Sequence, residues 1–294
     1  MAKAAVGVLT RSPTLRSRAS PPFLKAPPVQ ADPEAVVAVA GALYLVSTVA
    51  FCAISTAVGV RLLLLWRRTR ELPELLLGIG ILLTAGIGYG LMIGSSLARL
   101  ALPDAVPALA IASAAGWLLH HTGVVLVIGF VVYVFRPRAR WARLLASLLI
   151  CCLTFGLVLY GLEGGFEHGR SEGFGFWLSF AAIGSYPLWG ATEALVYWRR
   201  MQRRREIGLA HPVVTNRFLL WGIASICTAA AVWTVTAPAL LGLSRSRQED
   251  LMPLTLLATA CFGIGAVCAY WLAFLPPRWY AARLLGEVPL SPRR

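Results

Sequence analysis

The strongest constraint on this chain is the stretch from Val106 to Phe135, which carries no acidic or basic residue apart from two adjacent histidines, His120 and His121, at its centre. A helix rises 1.5 Å per residue, so about 20 residues suffice to cross the hydrocarbon core of a bilayer. The stretch is longer than that and almost wholly apolar. It therefore predicts a membrane-spanning helix.

Six more apolar runs of spanning length surround it, and 58% of the chain is hydrophobic whereas only 14% is charged. This balance predicts an all-α integral membrane protein, a seven-transmembrane helix bundle over residues 34–280. Short connections make consecutive helices antiparallel neighbours. The predicted spans are residues 35–66, 73–98, 106–135, 141–162, 174–198, 213–242 and 251–275.

The two ends of the chain differ from this bundle. Residues 1–33 are rich in Pro, Ser and Arg and contain no long apolar run, which predicts a disordered basic tail. Residues 281–294 are predicted to be a short cytoplasmic tail. The lysines, Lys3 and Lys25, both lie in the N-terminal tail, so no span offers the lysine that a retinal Schiff base needs, and retinal is excluded as a cofactor.

Arginines are concentrated in every second connection, after spans one, three and five, and again near the C-terminus. They are Arg61, Arg67, Arg68, Arg70, Arg136, Arg138, Arg140, Arg143, Arg199, Arg200, Arg203, Arg204, Arg205, Arg278, Arg283, Arg293 and Arg294. Because positive residues stay in the cytoplasm, this pattern predicts an external N-terminus and a cytoplasmic C-terminus in a bacterial cytoplasmic membrane. The net charge of +14 then reflects topology and the lipid bilayer, and nucleic acid is not a predicted partner.

The two histidines are the first candidates for a ligand site, because ionisable groups near the bilayer midplane are costly and by default indicate function. Adjacent helical positions differ by about 100 degrees, so at most one of the two points squarely into the bundle. The alternative interpretation is a neutral histidine that only packs inside the bundle. Four aromatic residues at or near the same depth complete the candidate pocket: Trp117, Tyr89, Tyr186 and Trp233.

Two further groups of residues are candidates for other roles. Glu193 and Arg217, near the inner ends of spans five and six, are candidates for coupling the pocket to the cytoplasm, either as a pair or with Glu193 extending toward the headgroups. The outer loop offers weak metal candidates in Glu163, Glu167, His168 and Glu172, although a solvated acidic loop is the simpler interpretation. Pro187 is expected to kink span five.

Span two contains Gly86, Gly90 and Gly94, a repeat of small residues that lets another helix approach closely. A packing seam inside the bundle is the first interpretation of this repeat. A homodimer contact through the same glycines is the second.

Span seven closes with Ala273-Phe-Leu-Pro276-Pro277-Arg278-Trp279, and the first inner loop is rich in arginine. In these features the chain resembles the seven-transmembrane sensory regions of bacterial histidine kinases and cyclic-dinucleotide enzymes. In those proteins an output domain follows, whereas about 15 residues follow Trp279 here. The resemblance implies a sensor without its own output domain.

Three functions therefore remain open. The first is a stand-alone sensor or receptor-like module that binds a small apolar ligand among the helices and signals to a cytoplasmic or membrane partner. The second is a redox subunit that binds haem or quinone through His120 or His121. The third is a transporter or a membrane assembly factor. An enzyme is disfavoured, because the spans contain neither a nucleophile with a base nor a pair of carboxylates.

Overall fold

The computed structural model describes residues 33–102, 105–168 and 173–286, and these residues form helices and no strand. The α-helices are α1 (Pro33–Thr69), α2 (Leu72–Ile81), α3 (Tyr89–Ala101), α4 (Val106–Phe135), α5 (Arg140–Leu162), α6 (Gly165–His168), α7 (Phe174–Glu206), α8 (Pro212–Leu240), α9 (Arg245–Phe274) and α10 (Arg278–Leu285). A π-helical segment, Leu82–Gly88, joins α2 to α3 without a break.

Six of the helical runs in the described residues are long and apolar enough to cross a membrane. They are α1, the run Leu72–Arg99, α4, α5, α8 and α9. The prediction of an all-α integral membrane protein is thus confirmed. The run predicted at 174–198 is also helical, as α7, but Gly, Ser, Tyr and Pro lower its apolar character and its last two turns are rich in arginine.

The predicted span limits agree with the helices to within a few residues, with three differences. Helix α7 continues to Glu206, eight residues beyond the predicted end at 198. Helix α9 begins at Arg245 rather than at 251, because the polar sequence before the apolar run forms the first two helical turns. Helix α10 begins beside the predicted end of the bundle and extends into the predicted cytoplasmic tail. The predicted disordered tail lies outside the described residues, except for Pro33, where α1 starts.

The long helices form a closed ring. Going round it, α1 packs against the α2–α3 run, which packs on α4, and α4 packs on α5; α5 then contacts α7, α7 contacts α8, α8 contacts α9, and α9 returns to α1. One buried cluster, including Trp117 and Leu153, lies between α4, α5 and α7. A second cluster, including Val58 and Trp221, joins α1, α2, α4, α8 and α9.

Glycines let the α2–α3 run and α4 touch through their backbones. A Cβ atom placed on Gly88 would lie 2.6 Å from the amide nitrogen of His120, and one placed on Gly116 would lie 2.9 Å from that of Met92. A Cβ on Gly123 would overlap the backbone and side chain of Thr84. Such contacts are typical of helix packing in lipid, where the hydrophobic effect contributes little between helices.

The glycines singled out in the sequence lie partly on another face of the same run. A Cβ on Gly86 would lie 2.7 Å from Oγ1 of Thr56 in α1, and one on Gly90 would lie 3.9 Å from the sulfur of Cys52 in α1. Nothing in the described residues comes within 4 Å of a Cβ on Gly94. Two of the three glycines therefore face α1 of the same chain, as the packing-seam interpretation expects.

Candidate functional site

The two central histidines have separate roles, as the angle between adjacent helical positions predicts. Both are buried, with 8% of His120 and 4% of His121 exposed. His121 donates from Nδ1 to the carbonyl oxygen of Trp117, 2.8 Å away. Because a carbonyl only accepts, Nε2 of the neutral ring is an acceptor, and Oγ of Ser179 donates to it at 3.2 Å. His121 is therefore a packing residue whose two nitrogens are both hydrogen-bonded.

His120 donates from Nδ1 to the carbonyl oxygen of Thr84, 3.0 Å away in the π-helical segment. The same oxygen accepts the backbone N–H of Tyr89, which is the wider bond that defines the segment. The bulge shifts the helix backbone beside α4, and Gly88 and Gly123 let the two backbones meet there. The result is an imidazole held in one tautomer by main-chain contact.

The second nitrogen of His120 has no hydrogen-bond partner in the described part of the chain. This nitrogen is therefore not fully enclosed by protein atoms, because the fully buried side-chain atoms without a partner do not include it. Since His120 borders the central cavity, Nε2 is open to that cavity. A neutral imidazole with this tautomer offers a lone pair, which accepts a hydrogen bond or coordinates a metal.

The cavity has a volume of about 720 Å³ and lies inside the ring of helices. Every long helix except α5 contributes to its wall. The end at the start of α9 is polar, with Arg245, Gln248 and Glu249, and the opposite end reaches Trp221 and Tyr270. The volume is within the range of roughly 300–1,000 Å³ that is typical of small-molecule sites.

The wall combines aromatic rings with hydroxyl groups. Its rings include those of Trp117, Phe180 and Tyr186, and the hydroxyl-bearing residues are Tyr44, Ser47, Thr48, Ser55, Thr84, Tyr89, Tyr186, Ser225, Thr228, Thr236, Thr255, Thr259 and Tyr270. The hydroxyls of Tyr44 and Tyr89 lie 3.3 Å apart. Such a surface suits a ligand with an apolar body and a few polar atoms.

Three of the aromatic candidates, Trp117, Tyr89 and Tyr186, line the cavity. The fourth, Trp233, is not part of the wall. Its Nε1 donates to the carbonyl oxygen of Gly184 at 3.2 Å, and its ring packs edge-on against Phe180 at 5.8 Å. The assignment of Trp233 to the pocket was therefore wrong, because depth along a helix does not fix the direction of the side chain.

Glu193 forms an ion pair with Arg136, which directly follows α4. Nε of Arg136 donates to both carboxylate oxygens at 2.9 Å, and Nε1 of Trp189 donates to one of them at 3.4 Å. The side chain of Glu193 is 5% exposed and that of Arg136 is 30% exposed. The guanidinium also lies 5.5 Å from the ring centre of Trp141. This cluster fixes the C-terminal end of α4 to α7.

Arg217 is not the partner of Glu193, so a pairing between the two coupling candidates is wrong. Its Nε donates to the carbonyl oxygen of Ala273 at 3.0 Å, and its guanidinium lies 6.0 Å from the ring centre of Phe274. Arg217 thus satisfies a carbonyl near the end of α9, one of those left without a partner in the last helical turn. It ties α8 to α9.

The outer loop contains no metal site in the part that the structure describes. An oxygen of Glu163 accepts the backbone N–H of Gly175 at 3.2 Å, in the first turn of α7. Glu167 is exposed, and its carbonyl oxygen accepts from Arg99 at 2.7 Å. Glu172 and the side chain of His168 lie outside the described residues. The contacts of Glu163 and Glu167 are those of a capped, solvated loop.

Several residues of the site were not foreseen from the sequence. Thr84, Ser179 and Arg136 each hold one of the predicted candidates, yet serine and threonine are common in membrane helices and Arg136 resembles any inner-loop arginine. The only local signal for the bulge was the density of glycines in the second span.

Comparison of the chain with protein-family models, with curated proteins and with solved structures found no match.

Proposed function

We propose that this chain is a stand-alone membrane sensor, a receptor-like bundle that binds a small apolar ligand in the central cavity and signals to a cytoplasmic or membrane partner. The observation that carries the proposal is the cavity itself, together with the unpartnered Nε2 of His120 in its wall. A neutral imidazole nitrogen that faces a cavity accepts a hydrogen bond from a donor that enters it. A bound molecule with a matching polar atom satisfies it.

The signal passes along α7. Tyr186 and Pro187 of this helix border the cavity, and Pro187 cannot donate the backbone hydrogen bond of a regular helix. Two turns further on, Glu193 connects α7 to Arg136 at the end of α4. A ligand that fits one packing of α7 against α4 better than another shifts the population toward it, which is the physical basis of the signal.

In this proposal α7 is a span, the fifth of seven in chain order, the N-terminus is outside and the C-terminus is cytoplasmic. The support for α7 as a span is its place in the ring between α5 and α8, where Phe176, Phe180 and Ile183 are buried. The support for the orientation is the arginine-rich end of α7, which continues the helix to Glu206. Such a basic extension is suited to anionic headgroups of the inner leaflet or to a cytoplasmic partner.

Reporter fusions test this topology in a bacterial cytoplasmic membrane. A fusion after Gly208, at the end of α7, is expected to give a fluorescent cytoplasmic reporter and inactive alkaline phosphatase. A fusion after Gly164, between α5 and α7, is expected to give the reverse, because Gly164 and Gly208 lie at opposite ends of α7. The same reporter pattern at both sites would refute the seven-span topology.

The second candidate function is a redox subunit in which His120 binds haem or contacts a quinone. It is favoured by one observation, since histidine ligands of metals usually donate their other ring N–H to a carbonyl or carboxylate, as His120 does to Thr84. A visible spectrum of the purified protein separates the two functions. A Soret band that is lost in His120→Ala would favour the redox subunit over the sensor.

Filling the cavity tests the sensor. Ala231 on α8 lines the wall, and Ala231→Trp is expected to occupy the space of the ligand. Mass spectrometry of molecules that co-purify with the protein should then find a small apolar compound on the wild type and at least tenfold less on the variant. The expected loss reflects direct steric exclusion of the ligand by the added ring.

The matched control is Leu148→Trp. Leu148 is 60% exposed on α5, the long helix that contributes nothing to the cavity wall. It receives the same bulky ring on the face turned toward lipid, so its bound compound should stay at the wild-type level. Equal amounts on all three proteins would mean that the compound is not held in the cavity.

A further inference from the structure

The tautomer of His120 determines what kind of polar atom the ligand presents. Nδ1 carries the proton, because its partner at 3.0 Å is the Thr84 carbonyl oxygen, which only accepts. The groups in contact with the ring, this carbonyl and the ring of His121, carry no negative charge that would support a cationic imidazole. Nε2 is thus an acceptor, and it needs a donor from the ligand.

A second cavity-lining group has the opposite character. The hydroxyl of Tyr186 makes no hydrogen bond within the described residues and is not among the fully buried atoms that lack a partner. A phenol O–H donates readily to an oxygen of a ligand. The cavity therefore offers an acceptor at His120 and a donor at Tyr186.

The two groups also differ in backbone depth along the bundle. His121 is hydrogen-bonded to Ser179, so these residues lie at one depth. Tyr186 is seven residues further along α7, which at 1.5 Å per residue is about 10 Å toward the other end of the bundle. The aromatic rings of Trp117 and Phe180, which also line the cavity, provide flat apolar contacts for its body.

We infer that the ligand is a hydroquinone-type molecule, with one hydroxyl donating to Nε2 of His120 and its opposite oxygen accepting from Tyr186, and that the cavity prefers the reduced form to the oxidised form. This inference rests on the proposed function and names its ligand class. A quinone carries only acceptor oxygens at these positions, and it would set a carbonyl against the lone pair of Nε2. A site built for a hydroxyl rejects the analogue that lacks the proton.

Binding of three small probes to the purified full chain tests the inference by anaerobic calorimetry. The probes are trimethylhydroquinone, its oxidised trimethylbenzoquinone and its dimethyl ether. The wild type is expected to bind the hydroquinone about tenfold more tightly than either of the others, because both lack the hydroxyl proton and leave a buried acceptor unpaired. The ether comparison needs no variant and therefore holds even if a substitution prevents folding.

Two variants assign the preference to its residue. His120→Leu should bind the hydroquinone and the quinone with equal affinity, because the acceptor is gone. Tyr186→Phe should weaken both by a similar factor and keep the preference, because both probes have the oxygen that Tyr186 contacts. The variants thus separate discrimination at His120 from general affinity at Tyr186.

Equal affinity of the wild type for all three probes, or no binding of any of them, would overturn the inference. In that case a co-purifying compound that is lost in Ala231→Trp and retained in Leu148→Trp would leave the proposed ligand-binding function intact. If that compound is also absent, the proposed function fails together with the inference.

Discussion

Arg136→Ala is expected to lower the free energy of unfolding by about 3 kcal/mol, because it leaves the carboxylate of Glu193 buried without its counter-charge. The second partner of that carboxylate, Nε1 of Trp189 at 3.4 Å, is a weak replacement. The free energy of unfolding of the purified protein is measured by titration with a denaturing detergent. The C-terminal end of α4 should also separate from α7, which a pair of spin labels on these helices would report.

Arg138→Ala is the control. It also removes one arginine charge, but Arg138, two residues after Arg136, is exposed. Its expected effect is below about 0.5 kcal/mol, as for most surface substitutions. The double variant Arg136→Met with Glu193→Met should recover most of the loss, since apolar side chains of similar length often replace a buried pair at little cost. Equal stability of the two arginine variants would show that the pair does not hold α4 to α7.

Gly123→Ala is the second substitution with a large expected effect. A single added Cβ would overlap the backbone nitrogen and the hydroxyl of Thr84, so α4 must move away from the π-helical segment. The expected loss is about 2 kcal/mol or more, since overpacking typically costs 1–3 kcal/mol and backbone atoms yield little. The movement of α4 should also weaken the hydrogen bond from His120 to Thr84. Thermal unfolding measures the loss of stability, and ligand binding reports the change at His120.

The matched control for Gly123→Ala is Gly94→Ala. Both residues are helical glycines, and alanine is favoured over glycine in a helix by roughly 1 kcal/mol. Nothing described lies within 4 Å of a Cβ on Gly94, so that substitution is expected to leave stability unchanged or raise it. Opposite signs for the two changes are the expected result. A stabilising Gly123→Ala would mean that the two backbones are not in contact there.

The fold was predictable where it depends on local sequence. Hydropathy alone located α4 to the residue, because an uncharged run between two proline-containing ends has clear limits. Hydropathy did not locate the start of α9, because the first turns of this helix are polar and are recognised only by their helical hydrogen bonds in the structure. The π-helical segment was not predictable, since it depends on the contact between Thr84 and α4.

The site was predictable in part for the same reason. The 100-degree rule correctly separated His120 from His121, but it did not say which of them faces the cavity. Helical depth correctly selected Tyr89 and Tyr186 as residues of the cavity wall, but it also selected, wrongly, Trp233, which points at Gly184. The partner of Glu193 was a residue 57 positions away, and no spacing rule within one helix distinguishes Arg136 from Arg217.

The most direct test of the account is mass spectrometry of the compound that co-purifies with the wild-type protein, compared with Ala231→Trp and Leu148→Trp prepared in parallel. The account predicts about one small apolar molecule per chain on the wild type and on Leu148→Trp, and almost none on Ala231→Trp. A folded wild-type protein without any bound compound, or a compound that Ala231→Trp retains in full, would contradict the claim that the central cavity is a ligand site.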